Sequence, residues 1–343
     1  MGLVGPPHMQ KTFPPEELER LIVATGDEAA ELRSEADRVR REAVGDEVHL
    51  RAIIEFSSYC RMHCEYCGLR CENEGLTRYR MTPEEIAEAA EVAAGMRFGT
   101  VVLQSGEDTW YTAERVAEFI SGIKARTPLA ITLALGERED WEYRLWRDAG
   151  ADRYLLKHET ADPDLYARLH PEASLAERIR CQRTLIELGF QIGSGCIIGL
   201  PGQTARSLAL DLLHLQSLPV HMCGMGPLIP HPQTPLGDLP IGSSEITLNM
   251  DALGRLMVPD VMMAATTALE TATLGGRLRT LQGGANVLMP NLTPRKYASA
   301  YEIYPGKKAP QITLEEEVER AMRIIREAGR PLAKGPGHSP RVL

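Results

Sequence analysis

From Pro14 to Val44 apolar residues return at helical spacing through an otherwise polar stretch, which predicts two short helices. Beyond His49 the pattern changes to short apolar runs separated by amphipathic stretches, the mark of βα units around a parallel sheet. Candidate strands occupy residues 49–57, 100–104, 130–134, 153–157, 190–198, 220–228, 261–267 and 285–289. Eight such units over about 250 residues predict an α/β chain folded as a TIM-type (β/α)8 barrel. The helices between them carry their own start signals, as at Thr82-Pro83-Glu84-Glu85, a capping box with proline at the first helical position. A helical extension over 1–48, a barrel over 49–300 and a tail over 301–343 with one helix at 313–328 complete the expected layout. An open doubly wound sheet would use fewer strands and a glycine-rich turn after the first. A cysteine-rich segment follows 49–57 instead.

Composition narrows the partners. The 343 residues are 43% hydrophobic and 25% charged with a net charge of −9, enough to bury a large core. No dense Lys/Arg block offers a nucleic-acid or anionic-membrane surface. No apolar run approaches the ~18 residues of a membrane span, and Met1–Gln10 lacks the basic-then-apolar layout of a signal peptide, so a cytoplasmic location is expected. Seven cysteines, four of them between residues 60 and 71, suit metal ligation in a reducing compartment better than a disulfide framework.

Chemistry concentrates in Cys60-Arg-Met-His-Cys64-Glu-Tyr-Cys67, a CxxxCxxC directly after the first strand, where barrels keep their active-site loops. Three thiolates in one loop can hold three irons of a cubane and leave the fourth open to a chelating small molecule. Structural zinc, the alternative, takes four ligands, commonly from two paired knuckles, and the chain has no second CxxC. Cys71 could supply a fourth ligand, whereas His63, adjacent to Cys64, is badly placed for the same metal.

This loop, with Tyr66 before its third cysteine, resembles the signature of the radical S-adenosylmethionine (SAM) superfamily, where the aromatic sits near the adenine. Ser105-Gly106-Glu107 is similar to the superfamily's GGE motif at the SAM amino group, with serine for its first glycine. Gly195-Cys-Ile197-Ile-Gly199 resembles its GxIxG element beside the adenine. The segments EFSSYCRMHCEYCGLR, RYRMTPEEI, LQSGED, GADRYLLKHET, GLPGQT, GPLIPHPQTP, ATTA and GGANVLMPNLTP, spread over about residues 45–306, resemble the biotin-synthase-like HydE family of FeFe-hydrogenase maturases.

That resemblance implies one [4Fe–4S] cluster on Cys60, Cys64 and Cys67, and SAM cleaved reductively to a 5′-deoxyadenosyl radical. It implies Glu159 at the SAM ribose and Arg178 at the SAM carboxylate. Gln104, Thr132, Arg153, Lys157, Met222, Thr266, Thr267 and Met289 would line the cavity around the substrate. By themselves, Met222 and Met289 also suit core packing, and Arg178 a solvated helix position. Lys157 stands where arginine is expected, a point charge in place of a planar fork. Residues 224–343 contain no cysteine, which excludes an auxiliary cluster there. The implied substrate is a cysteine-ligated iron carbonyl cyanide species on the way to the hydrogenase H-cluster. The implied partners are HydG, HydF and a reductant such as flavodoxin or ferredoxin, with neither nucleic acid nor membrane. A methylornithine-synthase-like or other biotin-synthase-like enzyme, and a non-catalytic Fe–S redox sensor, are the competing readings.

Overall fold

The computed structural model describes residues 10–305 and 312–341; the expectation for the extreme N-terminus falls mostly on residues 1–9, outside the described residues. The polar stretch ahead of the core forms two helices, Pro15–Ile22 and Gly26–Val44, which bury Leu18, Ile22, Leu32 and Ala36 against later helices of the barrel.

The strands are β1 (His49–Leu50), β2 (Ala52–Ser57), β3 (Thr100–Ser105), β4 (Ala130–Ala134), β5 (Arg153–Leu155), β6 (Gln191–Ser194), β7 (Ile197–Ile198), β8 (Met222–Cys223), β9 (Gly226–Pro227), β10 (Met262–Met263) and β11 (Val287–Leu288). Seven of them form one parallel sheet in the order β10-β8-β6-β5-β4-β3-β2. The stave carrying β11 closes it. On one side it pairs with β1 and, through Asn291, with Ile53; on the other Val287 bridges Ala264. The hydrogen bonds Ile53 N to Pro290 O and Asn286 N to Met263 O, 2.9 and 3.0 Å, seal the two seams. The result is the expected TIM-type barrel of eight staves.

Three of those staves are interrupted. The first breaks at Arg51, and the fifth and sixth break where Gly195 passes Gly224. A Cβ on Gly195 would stand 2.1 Å from Gly224 O, so the chains meet there without a regular ladder and re-pair as β7 with β9. The expected strand 261–267 ends early, and Thr267 opens the helix Thr267–Ala272.

Alternation along the strands divides the core. Ile54, Phe56, Val101, Leu103, Ile131 and Leu133 face the helices and are wholly buried. Phe56 meets Tyr111 and Phe119 edge-on at 4.8 and 5.6 Å between ring centres, and Trp146 stacks on Tyr154 at 6.3 Å. The helix Pro83–Gly95 starts at the anticipated capping box, Thr82 with Glu85. The tail helix is Leu314–Glu327, within one residue of expectation at each end. No described helix is long and apolar enough to cross a membrane.

After that helix the tail doubles back and closes the N-terminal mouth of the barrel. Leu332 bridges Val48. Pro336 O accepts from Thr100 Oγ1 at 2.7 Å and Arg153 Nη2 at 2.8 Å, while Gly337 O accepts from Arg51 Nη2 at 3.0 Å. Arg51 and Arg153 are almost completely buried. Burial pulls the Arg153 guanidinium down to about 10, with Asp152 opposing, and burial and then the neighbouring Arg153 charge push Arg51 well below its ordinary value. The tail carbonyls are what these cations have in place of water. Removing residues 331–343 is therefore expected to destabilise the fold by about 3 kcal/mol or more, since it takes away the hydrogen bonds of Pro336 O, Gly337 O and His338 Nδ1 to buried charge. A lowered urea midpoint checks this; an unchanged midpoint contradicts it.

Candidate cluster and cofactor site

The cysteine loop leaves the C-terminal end of β2 and crosses the barrel's upper rim before the chain enters the helix Pro83–Gly95. Arg78 ties it together. Its guanidinium donates to Ser58 O, to Leu69 O at 2.9 Å, to Arg70 O at 2.7 Å and to Asn73 O at 3.1 Å. Ser57 Oγ and Arg80 both bond Asp108, at 2.6 and 2.7 Å, fastening the loop's two ends to the turn after β3.

That turn touches the cluster loop directly. Ser105 Oγ donates to Gly106 O at 2.7 Å, and Glu107 N donates to Cys60 Sγ at 3.3 Å. Gly106 packs so closely that a Cβ there would stand 2.3 Å from Tyr59 O and 2.7 Å from Cys60 Cβ. The Glu107 carboxylate is engaged as well, accepting from Glu137 N at 2.9 Å and from Arg61 Nε at 3.3 Å.

Cys60, Cys64 and Cys67 are half-buried and none is in a disulfide. Burial pushes the Cys64 thiol well above its ordinary value, and the neighbouring Cys67 and Cys60 sulfurs push it further. Three soft sulfur donors crowded at one loop, costly to ionise together without a counter-charge, fit an iron–sulfur cluster. Cys71 stands apart from them: its Sγ lies 3.2 Å from His63 Nδ1 and 3.3 Å from Glu72 Oε2, and His63 Nδ1 meets Glu72 Oε1 at 2.5 Å.

Beside the thiols lies an apolar shelf. Tyr66 and Ile197 pack together with Leu165, Leu169, Leu200 and Leu236. The Tyr66 hydroxyl meets His170 Nε2 at 2.8 Å, and His170 in turn stacks on Tyr166 at 4.1 Å. Glu159 bridges Cys196 next to Gly195, and Lys157 Nζ lies 3.6 Å from Glu159 Oε2. Arg178 is buried, with Nε 2.5 Å from Glu137 Oε1 and Nη1 donating to Lys157 O at 3.2 Å, so it is no solvated helix residue. Burial raises the Glu137 carboxyl while Arg178 opposes the rise.

The lumen collects most of the remaining expected residues. Met222 and Met289 meet Met262, Ala264 and Val287 in one apolar cluster, with Arg51 Nη1 2.9 Å from Met222 Sδ. Thr132 Oγ1 is buried and has no hydrogen-bond partner among the described residues. Gln104 is the last residue but one of β3, and Thr266 Oγ1 donates to Met225 O at 3.1 Å. A cavity of about 920 Å³ runs from Ile53, Glu55, Met289 and Asn291 past Thr267 toward the helix Leu314–Glu327. Thr267 lines this cavity with Met289, its Oγ1 accepting from Arg277 at 2.9 Å, while Arg153 stands apart on the floor, held by Pro336 and by His338 Nδ1 at 2.8 Å. Sequence reasoning gave no separate role to Arg78, Glu137 or His170. Only the run RYRM, containing Arg78, carried any signal.

A TIM-type barrel with three clustered thiols on the loop after its first stave defines a barrel enzyme built around an iron–sulfur centre. The radical SAM superfamily model matches residues 54–213. The FeFe hydrogenase maturase subunit HydE of Thermotoga maritima is 52% identical over 272 residues, covering 79% of this chain and 78% of the relative. The crystal structure of methylornithine synthase superposes with a TM-score of 0.84 at 26% identity, covering 94% of each chain. That of HydG from Carboxydothermus hydrogenoformans gives 0.77 at 20% identity over 92% of this chain and 75% of the other, a likeness of fold. The chain belongs to the radical SAM superfamily and, within it, to the HydE family. It is accordingly a radical SAM enzyme that uses a [4Fe–4S] cluster and SAM.

Because a methyl at position 106 has no room beside Cys60, Gly106→Ala is expected to displace the first thiol and lower cluster loading. Iron and sulfide per chain after anaerobic reconstitution, compared with wild type, check this; equal loading would contradict the close approach.

Proposed function

We propose that the chain is a HydE-type maturase in FeFe-hydrogenase assembly, with Cys60, Cys64 and Cys67 as the cluster ligands. The three cysteines on the one loop that Glu107 and Arg78 fasten, beside the apolar shelf of Tyr66 and Ile197, carry this reading, and the likeness to the Thermotoga HydE supports it. When bound, the cluster supplies the electron that splits SAM into methionine and a 5′-deoxyadenosyl radical.

The chain's own residues do the rest. Gly106 and Glu107 bring the turn after β3 against Cys60, where the SAM amino group would meet it. The Arg178 guanidinium receives the SAM carboxylate, with Glu137 orienting it. Glu159 takes the ribose hydroxyls, and Tyr66, Gly195 and Ile197 form the shelf for the adenine. The closed floor excludes water from the radical.

The substrate we infer is a cysteine-ligated iron carbonyl cyanide species. Gln104, Lys157, Thr266 and the Thr132 hydroxyl, which has no hydrogen-bond partner among the described residues, would supply polar contacts beside the apolar cluster of Met222 and Met289, a layout suited to a compact, weakly charged guest. Arg153 would act on such a guest only from the floor, and Thr267 from the cavity wall it lines with Met289. HydG as the source of substrate, HydF as its destination, a flavodoxin or ferredoxin as reductant and a cytoplasmic setting follow from this reading.

The test is anaerobic. Reconstituted, dithionite-reduced protein is expected to convert SAM to 5′-deoxyadenosine, measured by chromatography. Cys64→Ala should abolish the product, and Cys71→Ala should retain it because Cys71 stands with His63 and Glu72. Product from Cys64→Ala would overturn the ligand set. Restoration of hydrogenase activity to a maturation extract lacking HydE separates this role from that of a methylornithine-synthase-like mutase, which would leave the hydrogenase inactive.

A further inference from the structure

Glu159 holds a backbone conformation that few residues other than glycine adopt, with φ at +62°. It sits at the centre of a tight turn in which Thr160 N donates to His158 O at 2.7 Å. This is the strained form of the γ-turn, and such a residue persists only where its surroundings over-determine it.

Both flanks of the turn lead to one carboxylate. Asp211, on the helix Ala205–Ser217 and fully buried, accepts from Ala161 N at 2.5 Å and faces His158 Nε2 across 3.5 Å. The other edge of the His158 ring meets Ser194 Oγ at 2.8 Å. Gln182 Nε2 holds that hydroxyl at 2.9 Å and Leu156 O at 2.8 Å, while its Oε1 meets His214 Nε2 at 2.9 Å. Glu159 itself is stitched to the neighbouring stave, its N donating to Gly195 O at 3.1 Å and its O accepting from Ile197 N at 2.9 Å. The turn is thus clamped to the stave that carries the adenine shelf and, from behind, to Asp211.

Nothing in the reaction described above uses Asp211 or His158. We propose that they are positioning residues, holding the Glu159 turn so that its carboxylate faces the cofactor pocket. This rests on the reading that Glu159 binds the SAM ribose. Ligand atoms of His158, Cys196 and Asp211 lie within 4.8 Å of one another, which could also suit a metal ion. A structural zinc site takes four ligands, however, and the Ala161 N–H already points its hydrogen at Asp211 Oδ1. Burial pushes Asp211 up to about 8 and His158 down to about 3, so near neutral pH they act without an ion pair, each through its own contact, Asp211 to Ala161 N and His158 to Ser194 Oγ.

The test compares SAM dissociation constants of the reconstituted holoenzyme, by equilibrium dialysis, for Glu159→Gln, Asp211→Leu, Asp211→Asn and the double variant Glu159→Gln/Asp211→Leu. Glu159→Gln and Asp211→Leu are each expected to weaken SAM binding roughly 10- to 100-fold at unchanged cluster content. The double variant should lose little more, because both changes remove the same contact. Asp211→Asn keeps an oxygen for Ala161 N and should recover most of the affinity. His158→Phe, with the same expected loss and non-additivity, stands in should Asp211→Leu fail to fold. Unchanged affinity in Glu159→Gln would defeat the ribose reading and the proposal with it. A loss in Glu159→Gln without one in Asp211→Leu, or losses that add, would overturn the positioning role alone. Zinc bound in proportion to protein and lost in Cys196→Ala would also overturn it, assigning the cluster to a metal.

Discussion

Gly106 lies so close to the Tyr59 carbonyl and the Cys60 Cβ that no side chain could stand between them. That contact joins the loop bearing the thiols to the turn after the neighbouring stave, and parallel pairing of β2 with β3, Ser57 opposite Ser105, sets it up. A parallel barrel delivers every strand to the same rim, so pairing the first two staves in register brings their loops together. The hydrogen bond from Glu107 N to Cys60 Sγ and the ring of carbonyls around Arg78 build on that registration. Shifting either stave would separate the thiols from the turn proposed to hold SAM.

The two ends of the lumen are built for opposite purposes. At the floor the tail lays carbonyls over Arg51 and Arg153, two buried cations with which no carboxylate shares a salt bridge among the described residues. At the rim the polar groups are spread over several staves, each fixed by a neighbour: Arg178 by Glu137, Tyr66 by His170, Glu159 by the strand beyond it. A reactive intermediate made at the rim would face a lumen closed from below. Such exclusion of water is what a carbon radical requires if it is to reach its target instead of a side reaction.

Much of this was legible in the sequence because it is written in local pattern. Period and spacing gave the eight staves, and cap chemistry gave the start at Thr82. The spacing of Cys60, Cys64 and Cys67 marked the site. What stayed hidden depends on residues far apart in the chain. The resemblance put Arg153 at the cavity, but its partners include Pro336 and His338, more than 180 residues later. The split at Gly195 follows from the passing backbone of Gly224. Cys71 could have served as a fourth ligand until its sulfur was found beside His63 and Glu72. Asp211 gave no signal at all, since a lone aspartate on an amphipathic helix looks like any solvated charge.

The central claim is that three thiols leave one iron free for SAM. Electron–nuclear double resonance on the reduced protein, with SAM carrying nitrogen-15 at its amino group, tests this most directly. The account predicts a nitrogen-15 coupling to the cluster in wild type. No coupling, with a cluster spectrum indifferent to SAM, would mean that the fourth iron already has a protein ligand, and would contradict it.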